Sequence, residues 1–267
     1  MKTLYLDCGM GAAGDMLTAA LLELLPDPDA FVEKLNGLSI PGVQVKKEEA
    51  VKCGITGTHI SVTVHGMEES EEMHEHGQEH EHHHEAEHSH EHHHEQSHGH
   101  EHHHEHDHHH DHEHSHEHHH HSGMHDIEHI ISDLQLSEKV RENILAVYGL
   151  IAEAEGHVHG KPITEIHFHE VGTMDAIADV TAVCLLMEEL SPDEVVVSPI
   201  HVGSGQVKCA HGILPVPAPA TAYILRDVPI YGGKIQGELC TPTGAALLKH
   251  FASRFGDMPI MKKEAIG

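Results

Sequence analysis

The sequence predicts an α/β protein in which a mixed sheet with flanking helices is interrupted by a disordered His/Glu-rich insertion. Two observations predict this class. A strand, a glycine-rich turn and a helix open the chain, and strands alternate with helices on both sides of a tract of low complexity. We therefore expect residues 1–67 and 122–267 to form one α/β domain, and residues 68–121 to be a disordered metal-binding tract.

Before the tract, short apolar runs and the residues that end them indicate five elements of secondary structure. Each strand is rich in β-branched residues, and each helix carries apolar residues at helical spacing, with Pro26 ending the first helix. The predicted strands are Thr3–Leu6, Val43–Lys47 and His59–His65. The predicted helices are Asp15–Leu25 and Asp29–Leu35.

After the tract, the same signals predict a second series of elements. Ile127, Ile130, Ile131 and Leu134 indicate one helix, and Ser137 is the expected N-cap of a longer helix that ends near Glu155. The other predicted elements are a strand at Thr164–Phe168, a helix at Thr173–Leu190, a strand at Val195–Val197 and a helix from Thr243 to Arg254. The Gly/Pro-rich passage between the last two should be loop and short strand.

Composition excludes several classes of protein. The formal charge of −29 comes largely from the tract, and no Lys or Arg lies between Cys53 and Glu138, so no basic face for nucleic acid or membrane is expected. The absence of an apolar run of about 18 residues argues against a transmembrane helix. The N-terminus lacks the apolar core of a signal peptide, so we expect a cytoplasmic protein. The 5 scattered cysteines indicate reduced thiols.

The tract predicts avid binding of divalent metal. Residues 74–121 hold 27 of the chain's 38 histidines, and the unit EHHHE recurs at 81–85, 91–95 and 101–105. Imidazole binds nickel, zinc and copper, and the carboxylates add oxygen ligands. The candidate ligands are His82, His83, His84, His92, His93, His94, His102, His103 and His104. An inert low-complexity run is the alternative, and ligand type alone does not choose the metal.

The glycine turn is the first motif of the folded part. Gly9, Gly11 and Gly14 form a literal GxGxxG between a strand and a helix. A dinucleotide site would need an acidic residue after a second strand about 20 residues on, but Pro26–Asp29 there indicates a helix connection. NAD binding is therefore disfavoured.

The same turn remains a candidate cradle for a phosphate, because glycines at a helix N-terminus expose amides. Asp7 and Asp15 would oppose a bare phosphate but suit one bridged by a divalent cation. The candidate cofactor-binding residues are Gly9, Gly11, Gly14 and Asp15. A purely structural turn is the alternative.

The sharpest local constellation is His167-Phe168-His169-Glu170. On the predicted strand, His167 and His169 share a face, and Asp175 and Asp179 share a face of the next helix. Together these side chains could form a mixed nitrogen and oxygen site for a divalent ion. Core or capping histidines are the alternative. The sequence is not HExxH, which disfavours a metalloprotease.

Further histidine pairs are weaker signals. His157/His159 and Cys209/His211 repeat the same spacing of two residues, and His125/His129 lie four apart on a helix. A loop histidine is more often solvated than bound to metal, so none of these pairs defines a site alone.

Four segments together resemble the LarC family, the nickel-insertion proteins of the nickel-pincer cofactor of lactate racemase. They are LDCGMGAAGDM, HFHEVGTMDAIADV, SPIHVGSGQVKCAHGILPVPAPAT and GELCTPTGAALL, in the family's order on both sides of a histidine-rich insertion. The resemblance covers nearly all of the non-repetitive chain. It names nickel, which composition does not.

The resemblance implies an enzyme of the lyase class that inserts Ni(II) into pyridinium-3,5-bisthiocarboxylic acid mononucleotide, supported by CTP with Mn(II) or Mg(II). Lactate racemase or another nickel-pincer enzyme would receive the product, and a homo-oligomer is expected. The chemistry of that reaction makes His167, His169 and Asp175 candidate catalytic residues, with His167 or His169 as the base or transfer ligand. It makes His167, His169 and Glu170 candidate nickel ligands.

Family members are generally longer, and CTP binding belongs to their C-terminal domain. The chain is therefore expected to be an N-terminal portion that needs a C-terminal half for turnover, through frameshifting, a split gene or a second chain. Two alternatives stay open. One is a non-catalytic nickel or zinc store or metallochaperone, and the other is a metal-dependent hydrolase that uses the HFHE motif.

Overall fold

The computed structural model describes residues 1–68, 123–168, 171–209 and 211–267. All of them belong to one compact unit. The predicted α/β class is confirmed, and the strands are divided among several small sheets. Within the described ranges, no helix is long and apolar enough to span a membrane.

The helices carry most of the core. They are α1 (Gly14–Leu22), α2 (Pro28–Gly37), α3 (Met124–Asp133), α4 (Glu138–His159), α5 (Met174–Leu190), α6 (Pro219–Ile224) and α7 (Pro242–Phe251). Twelve of the residues of α5 are buried, on all sides of the helix, so it forms the centre of the domain. The α5 residue Ile177 and Tyr148 of α4 are among the largest side chains that are fully buried.

The described strands form four sheets of two or three strands each. They are β1 (Thr3–Leu6), β2 (Val43–Lys52), β3 (Ile55–Val64), β4 (Met67–Glu68), β5 (Glu194–Val197), β6 (Ile200–Ser204), β7 (Gln206–Cys209), β8 (Gly212–Pro215), β9 (Ile230–Glu238) and β10 (Arg254–Phe255). One sheet has the order β1-β5-β10 with parallel pairing, and another the order β2-β3-β4 with antiparallel pairing. β6 pairs with β9 in parallel, and β7 with β8 in antiparallel fashion.

The parallel sheet positions the functional residues. β1 and β5 run side by side, with Leu6 opposite Val197, so their carboxyl ends lie at the same edge. Ligands of α/β proteins commonly bind at this edge, because the loops that follow the strands meet there. The glycine turn follows β1, and Ser198 follows β5.

Several local predictions are confirmed. β1 has the predicted bounds, and the Ser137 hydroxyl accepts the Val140 amide hydrogen as the N-cap of α4. That helix continues past the predicted end to His159, because the left-handed residue that closes it is Gly160 rather than Gly156.

The predicted strand at Thr164–Phe168 is wrong. Residues Ile163–Glu165 form a 3₁₀ helix, and His167 makes only an isolated antiparallel bridge with Gly123. Ile166 and Phe168 are buried on either side of an exposed His167, so the alternation that indicated a strand is real. Side-chain alternation alone does not supply a neighbouring strand with which to pair.

Candidate functional site

The segment Asp7–Asp15, the glycine loop, is hydrogen-bonded to distant parts of the chain. The Cys8 amide donates to the hydroxyl of Ser198 over 2.8 Å. The carbonyl oxygen of Cys8 accepts the amide hydrogen of His201, with 3.1 Å between nitrogen and oxygen. The segment after β5 is therefore fixed to the loop at two points.

The segment before α7 is fixed to the other side of the glycine loop. The Ala12 amide donates to the Leu239 carbonyl over 2.9 Å, and the Thr241 amide donates to the Ala12 carbonyl over 3.0 Å. Gly11 has φ +87°, and a Cβ there would lie 1.8 Å from the Leu239 oxygen. The close approach of the two backbones therefore requires glycine at this position.

α5 contacts the loop through Asp179. A Cβ on Gly14 would lie 2.7 Å from the Asp179 Cβ, and the Asp15 amide donates to the Asp179 carboxyl. Burial raises the pKa of Asp179 well above its usual value, and the nearby charges of Asp15 and Asp175 raise it further. A carboxyl group of the protein itself therefore occupies the N-terminus of α1.

These contacts refine the predicted phosphate cradle. The Gly9 amide donates to Asp7 Oδ1 and the Gly11 amide to the Cys8 carbonyl, each over 3.0 Å. Since these amides and that of Asp15 have partners inside the protein, a ligand would meet the outer face of the loop. Met10, which is 62% exposed, marks that face. The binding roles of Gly9, Gly11, Gly14 and Asp15 stay predictions.

His201 of β6 is a site residue that the sequence did not indicate. Its ring nitrogen Nδ1 lies 3.1 Å from the Gly9 carbonyl oxygen, and because a carbonyl only accepts, Nδ1 carries the hydrogen. Nε2 is buried and has no hydrogen-bond partner in the described part of the chain. A Cβ on Gly233 would lie 2.2 Å from Nε2, so glycine is also required where β9 crosses the imidazole.

The ring of Tyr231 lies flat on this imidazole. The two ring centroids are 4.8 Å apart and the planes differ by 3°. The parallel pairing of β6 with β9 places His201 directly opposite Tyr231, so the stack is set by the backbone register. A usable signal for His201 was its place just after a buried parallel strand, within the segment SPIHVGSG. Tyr231 has no local sequence signal.

Two buried thiols, Cys8 of the glycine loop and Cys240 before α7, are protonated at neutral pH. Burial, followed by the charge of Asp7, raises the pKa of Cys8 to about 12. Burial, followed by the nearby Cys8 and Glu238, raises the pKa of Cys240 to about 12. Because metals bind the thiolate form, a metal ion would have to displace the proton of either thiol to bind it.

The predicted mixed metal site is only partly described. His167 is exposed, whereas His169 and Glu170 lie outside the described residues. Asp175 accepts a hydrogen bond from the Thr173 hydroxyl at the start of α5. Within the described ranges, no three His, Cys, Asp or Glu side chains are arranged to hold a metal ion. The roles of His167, His169, Glu170 and Asp175 therefore stay predictions.

A buried phenol lies behind the carboxyl groups of α5. The Tyr148 hydroxyl has no hydrogen-bond partner among the described residues. Burial raises its pKa well above the usual value, and the charges of Asp175 and Asp179 raise it further. The phenol therefore stays protonated next to these carboxyl groups.

Two of the weaker pairs, His157/His159 and Cys209/His211, come together at the end of α4 through His159 and His211. The His159 ring lies 5.0 Å from the His211 ring, and His159 Nε2 lies 3.3 Å from a Glu155 carboxylate oxygen. The His157 ring stacks on Tyr223 at 4.3 Å, with the Arg226 guanidinium 3.5 Å from the Tyr223 ring centre. Cys209, two residues before His211, is half-buried.

The candidate ligands of the tract, from His82 to His104, lie outside the described residues.

Comparison with known proteins gives one consistent result. A family model described as "Nickel insertion protein" matches residues 4–267. None of the solved structures matches the chain significantly.

Curated relatives carry a more specific name. The chain is 43% identical over 276 residues to the pyridinium-3,5-bisthiocarboxylic acid mononucleotide nickel insertion protein of Clostridium acetobutylicum, covering 100% of this chain and 60% of that protein. Proteins of the same name from Clostridium kluyveri and Geobacillus kaustophilus are 38% and 35% identical, with 57% and 55% of their lengths covered and 100% of this chain. The chain thus spans little more than half the length of these relatives.

Proposed function

Because the chain belongs to the nickel insertion protein family, we propose that it binds Ni(II) and inserts it into pyridinium-3,5-bisthiocarboxylic acid mononucleotide. The product is the nickel-pincer cofactor that lactate racemase needs. The names of its relatives support the substrate.

One structural observation carries the proposal: all four segments of the family resemblance meet at the glycine loop. Ser198 and His201 hold one side of it, Leu239 and Thr241 the other, and Asp179 holds the start of α1. A nickel store needs only a flexible run of ligands. These segments meet at the carboxyl ends of the parallel strands β1 and β5, where ligands of α/β proteins commonly bind.

The chemistry asks for a base as well as a nickel donor. Ni(II) forms one bond to a ring carbon and two bonds to thiocarboxylate sulfurs, and the ring carbon loses its proton. A base of the protein takes that proton. His167 and His169 are the proposed base or transfer ligands, with Asp175 as a catalytic carboxylate and Glu170 as an additional nickel ligand.

The mononucleotide is proposed to bind against the glycine loop. The Asp179 carboxyl already accepts the hydrogen bond of the Asp15 amide at the N-terminus of α1. The phosphate would therefore contact the exposed turn around Gly9 and Met10 instead. Gly11 and Gly14 then act by allowing the loop to pack closely.

The remaining features of the activity belong to the full-length protein. CTP with Mn(II) or Mg(II) is proposed to support a lyase-class reaction, bound by a C-terminal portion that works with this chain. The protein is proposed to be a cytoplasmic homo-oligomer. It would pass the cofactor to lactate racemase or a related enzyme. The histidines of residues 74–121 are proposed to supply the nickel.

The test separates the supply of nickel by the tract from the insertion reaction in the folded domain. One variant lacks residues 74–121, and another carries His167→Ala and His169→Ala. Bound nickel and activation of apo-lactate racemase are measured, with the C-terminal portion of a full-length relative added. We expect the deletion to lower bound nickel but to activate at saturating nickel, and the double substitution to abolish activation. If the deletion abolishes activation at saturating nickel while the double substitution has no effect, the folded domain does not perform insertion.

The second candidate function is nickel or zinc storage, which the 38 histidines favour. A store would bind many ions but would show no affinity for the mononucleotide. Calorimetric titration of the 267-residue chain with the mononucleotide distinguishes the two functions.

A further inference from the structure

We propose that Tyr231, backed by His201, is the platform on which the pyridinium ring of the mononucleotide stacks. The proposal rests on the function proposed above and assigns the ring of that substrate a place beside the glycine loop.

Tyr231 has the geometry of a platform. His201 covers one face of the phenol ring at 4.8 Å and 3°, yet Tyr231 remains 43% exposed. The proposal places a flat ligand on the part of the ring that the imidazole leaves exposed. An imidazole already packed behind the ring keeps it from turning, so little conformational freedom is lost on binding.

The platform is attached to the glycine loop. The Tyr231 hydroxyl oxygen lies 3.9 Å from the position of a Cβ on Gly9, and His201 Nδ1 donates to the Gly9 carbonyl. The Tyr231 hydroxyl therefore lies near Gly9, the residue to which His201 is hydrogen-bonded. A mononucleotide has a ring at one end and a phosphate at the other, so one molecule can contact the platform and the loop together.

The chemistry of the ring matches a tyrosine face. A pyridinium ring is cationic and electron-poor, whereas the face of a phenol ring carries a negative quadrupole potential. Stacking and cation–π attraction both favour the contact. Neither requires the hydroxyl group, so phenylalanine should serve nearly as well. Loss of the ring should weaken binding about tenfold.

Gly233 is part of the platform through its missing side chain. A Cβ at this position would lie 2.2 Å from His201 Nε2, so Gly233→Ala would displace the imidazole from behind Tyr231. This gives a second way to disturb the platform without changing either ring.

The experiment uses the absence of tryptophan from the chain. Tyr231→Trp introduces a single indole, whose fluorescence a stacked pyridinium quenches by accepting an electron from the excited ring. The 267-residue chain is titrated with pyridinium-3,5-bisthiocarboxylic acid mononucleotide. Tyr223→Trp is the matched control, because Tyr223 is also an aromatic platform but lies between His157 and Arg226.

We expect the mononucleotide to quench the Tyr231→Trp indole with the affinity that calorimetry gives for the unaltered chain, and to leave the Tyr223→Trp indole unchanged. By calorimetry, Tyr231→Phe should bind within about twofold of the unaltered chain and Tyr231→Ala about tenfold more weakly.

Two results would overturn the platform in different ways. If the unaltered chain binds the mononucleotide but the Tyr231→Trp indole is not quenched and Tyr231→Ala binds normally, the platform is wrong and the proposed function stands. If the unaltered chain does not bind the mononucleotide with or without Ni(II), the function proposed for this chain fails, and the platform fails with it.

Discussion

The ring nitrogen Nδ1 of His201 donates to the carbonyl oxygen of Gly9 across 3.1 Å, and this contact joins β6 to the glycine loop. The same imidazole supports the ring of Tyr231. One side chain of β6 therefore links the loop that follows β1 to Tyr231 of β9. The position of the loop and the position of the aromatic platform are coupled through it.

Replacing His201 by alanine should lower the free energy of unfolding by about 1–3 kcal/mol, because a buried hydrogen bond and a stacking contact are lost together. Chemical denaturation of the 267-residue chain measures this change. His125→Ala, at an exposed position of α3, is the control and should change stability by less than about 0.5 kcal/mol. Equal midpoints for the two variants would contradict the role given to His201.

Gly11→Ala should lower the free energy of unfolding by at least about 3 kcal/mol, a large share of the roughly 5–15 kcal/mol of a typical domain. The cost has two parts, a positive φ of +87° and a Cβ 1.8 Å from the Leu239 oxygen. Gly54→Ala isolates the first part, since Gly54 has φ +79° with no atom within 4 Å of its Cβ position. The control should cost about 1–2 kcal/mol. Thermal unfolding by circular dichroism compares the two, and equal losses would mean that the backbones do not approach so closely.

Asp179→Asn should raise stability at neutral pH. The pKa of Asp179 is raised in the folded protein, mainly by burial, so the folded state holds a proton that the unfolded state releases as pH rises above about 4. Stability contributed by the protonated carboxyl is therefore greatest in acid and is lost as pH rises towards the folded pKa. Asparagine is not subject to this loss and keeps an acceptor for the Asp15 amide.

Urea denaturation at several values between pH 4 and pH 7.5 tests this. The advantage of Asp179→Asn should grow with pH and disappear in acid. Asp257→Asn, at an exposed position near the end of the chain, is the control and should show no such trend. A constant difference at all pH values would mean that Asp179 is ionised throughout.

Alkylation should distinguish the cysteines. Burial raises the pKa of Cys8 and Cys240 to about 12, whereas Cys53 is exposed in the turn between β2 and β3. Iodoacetamide at pH 8 should therefore modify Cys53 long before Cys8 or Cys240, as peptide mass spectrometry can show. In urea the three should react alike. Early modification of Cys8 in the native chain would show that the glycine loop opens readily.

Nickel capacity should fall steeply as pH drops from 7.5 to 5, because protonated imidazole cannot bind metal. The loss should be reversible and should follow the histidines of residues 74–121. Equilibrium dialysis of the full chain, with the variant lacking those residues as control, measures it. If both proteins bind the same number of ions at pH 7.5, the tract is not the reservoir.

Local structure was predictable where a short stretch of residues determines it. The bounds of β1 follow from an apolar run ended by Asp7, and the N-cap of α4 follows from a serine before a helical pattern. The strand predicted around His167 was wrong because pairing depends on a partner that alternation does not reveal. The interactions that determine β1 and the N-cap of α4 are therefore local in sequence, whereas the pairing of the segment around His167 depends on distant residues.

The candidate site was predictable only in part for the same reason. The glycine loop has a local signature, but the contact between Asp15 and Asp179 depends on how α1 packs on α5. The stack of His201 on Tyr231 depends on parallel pairing of strands thirty residues apart. Nothing near either residue in the sequence specifies that register.

The isolated bridge between Gly123 and His167 has a kinetic consequence. The described chain resumes at Gly123, so residues 69–122 are covalently joined to it at a point beside His167. Under the proposed function, transfer of nickel from the tract to His167 is intramolecular. Its rate is then governed by a local effective concentration, independent of how dilute the protein is. A detached histidine-rich peptide would have to be supplied in large excess to replace it.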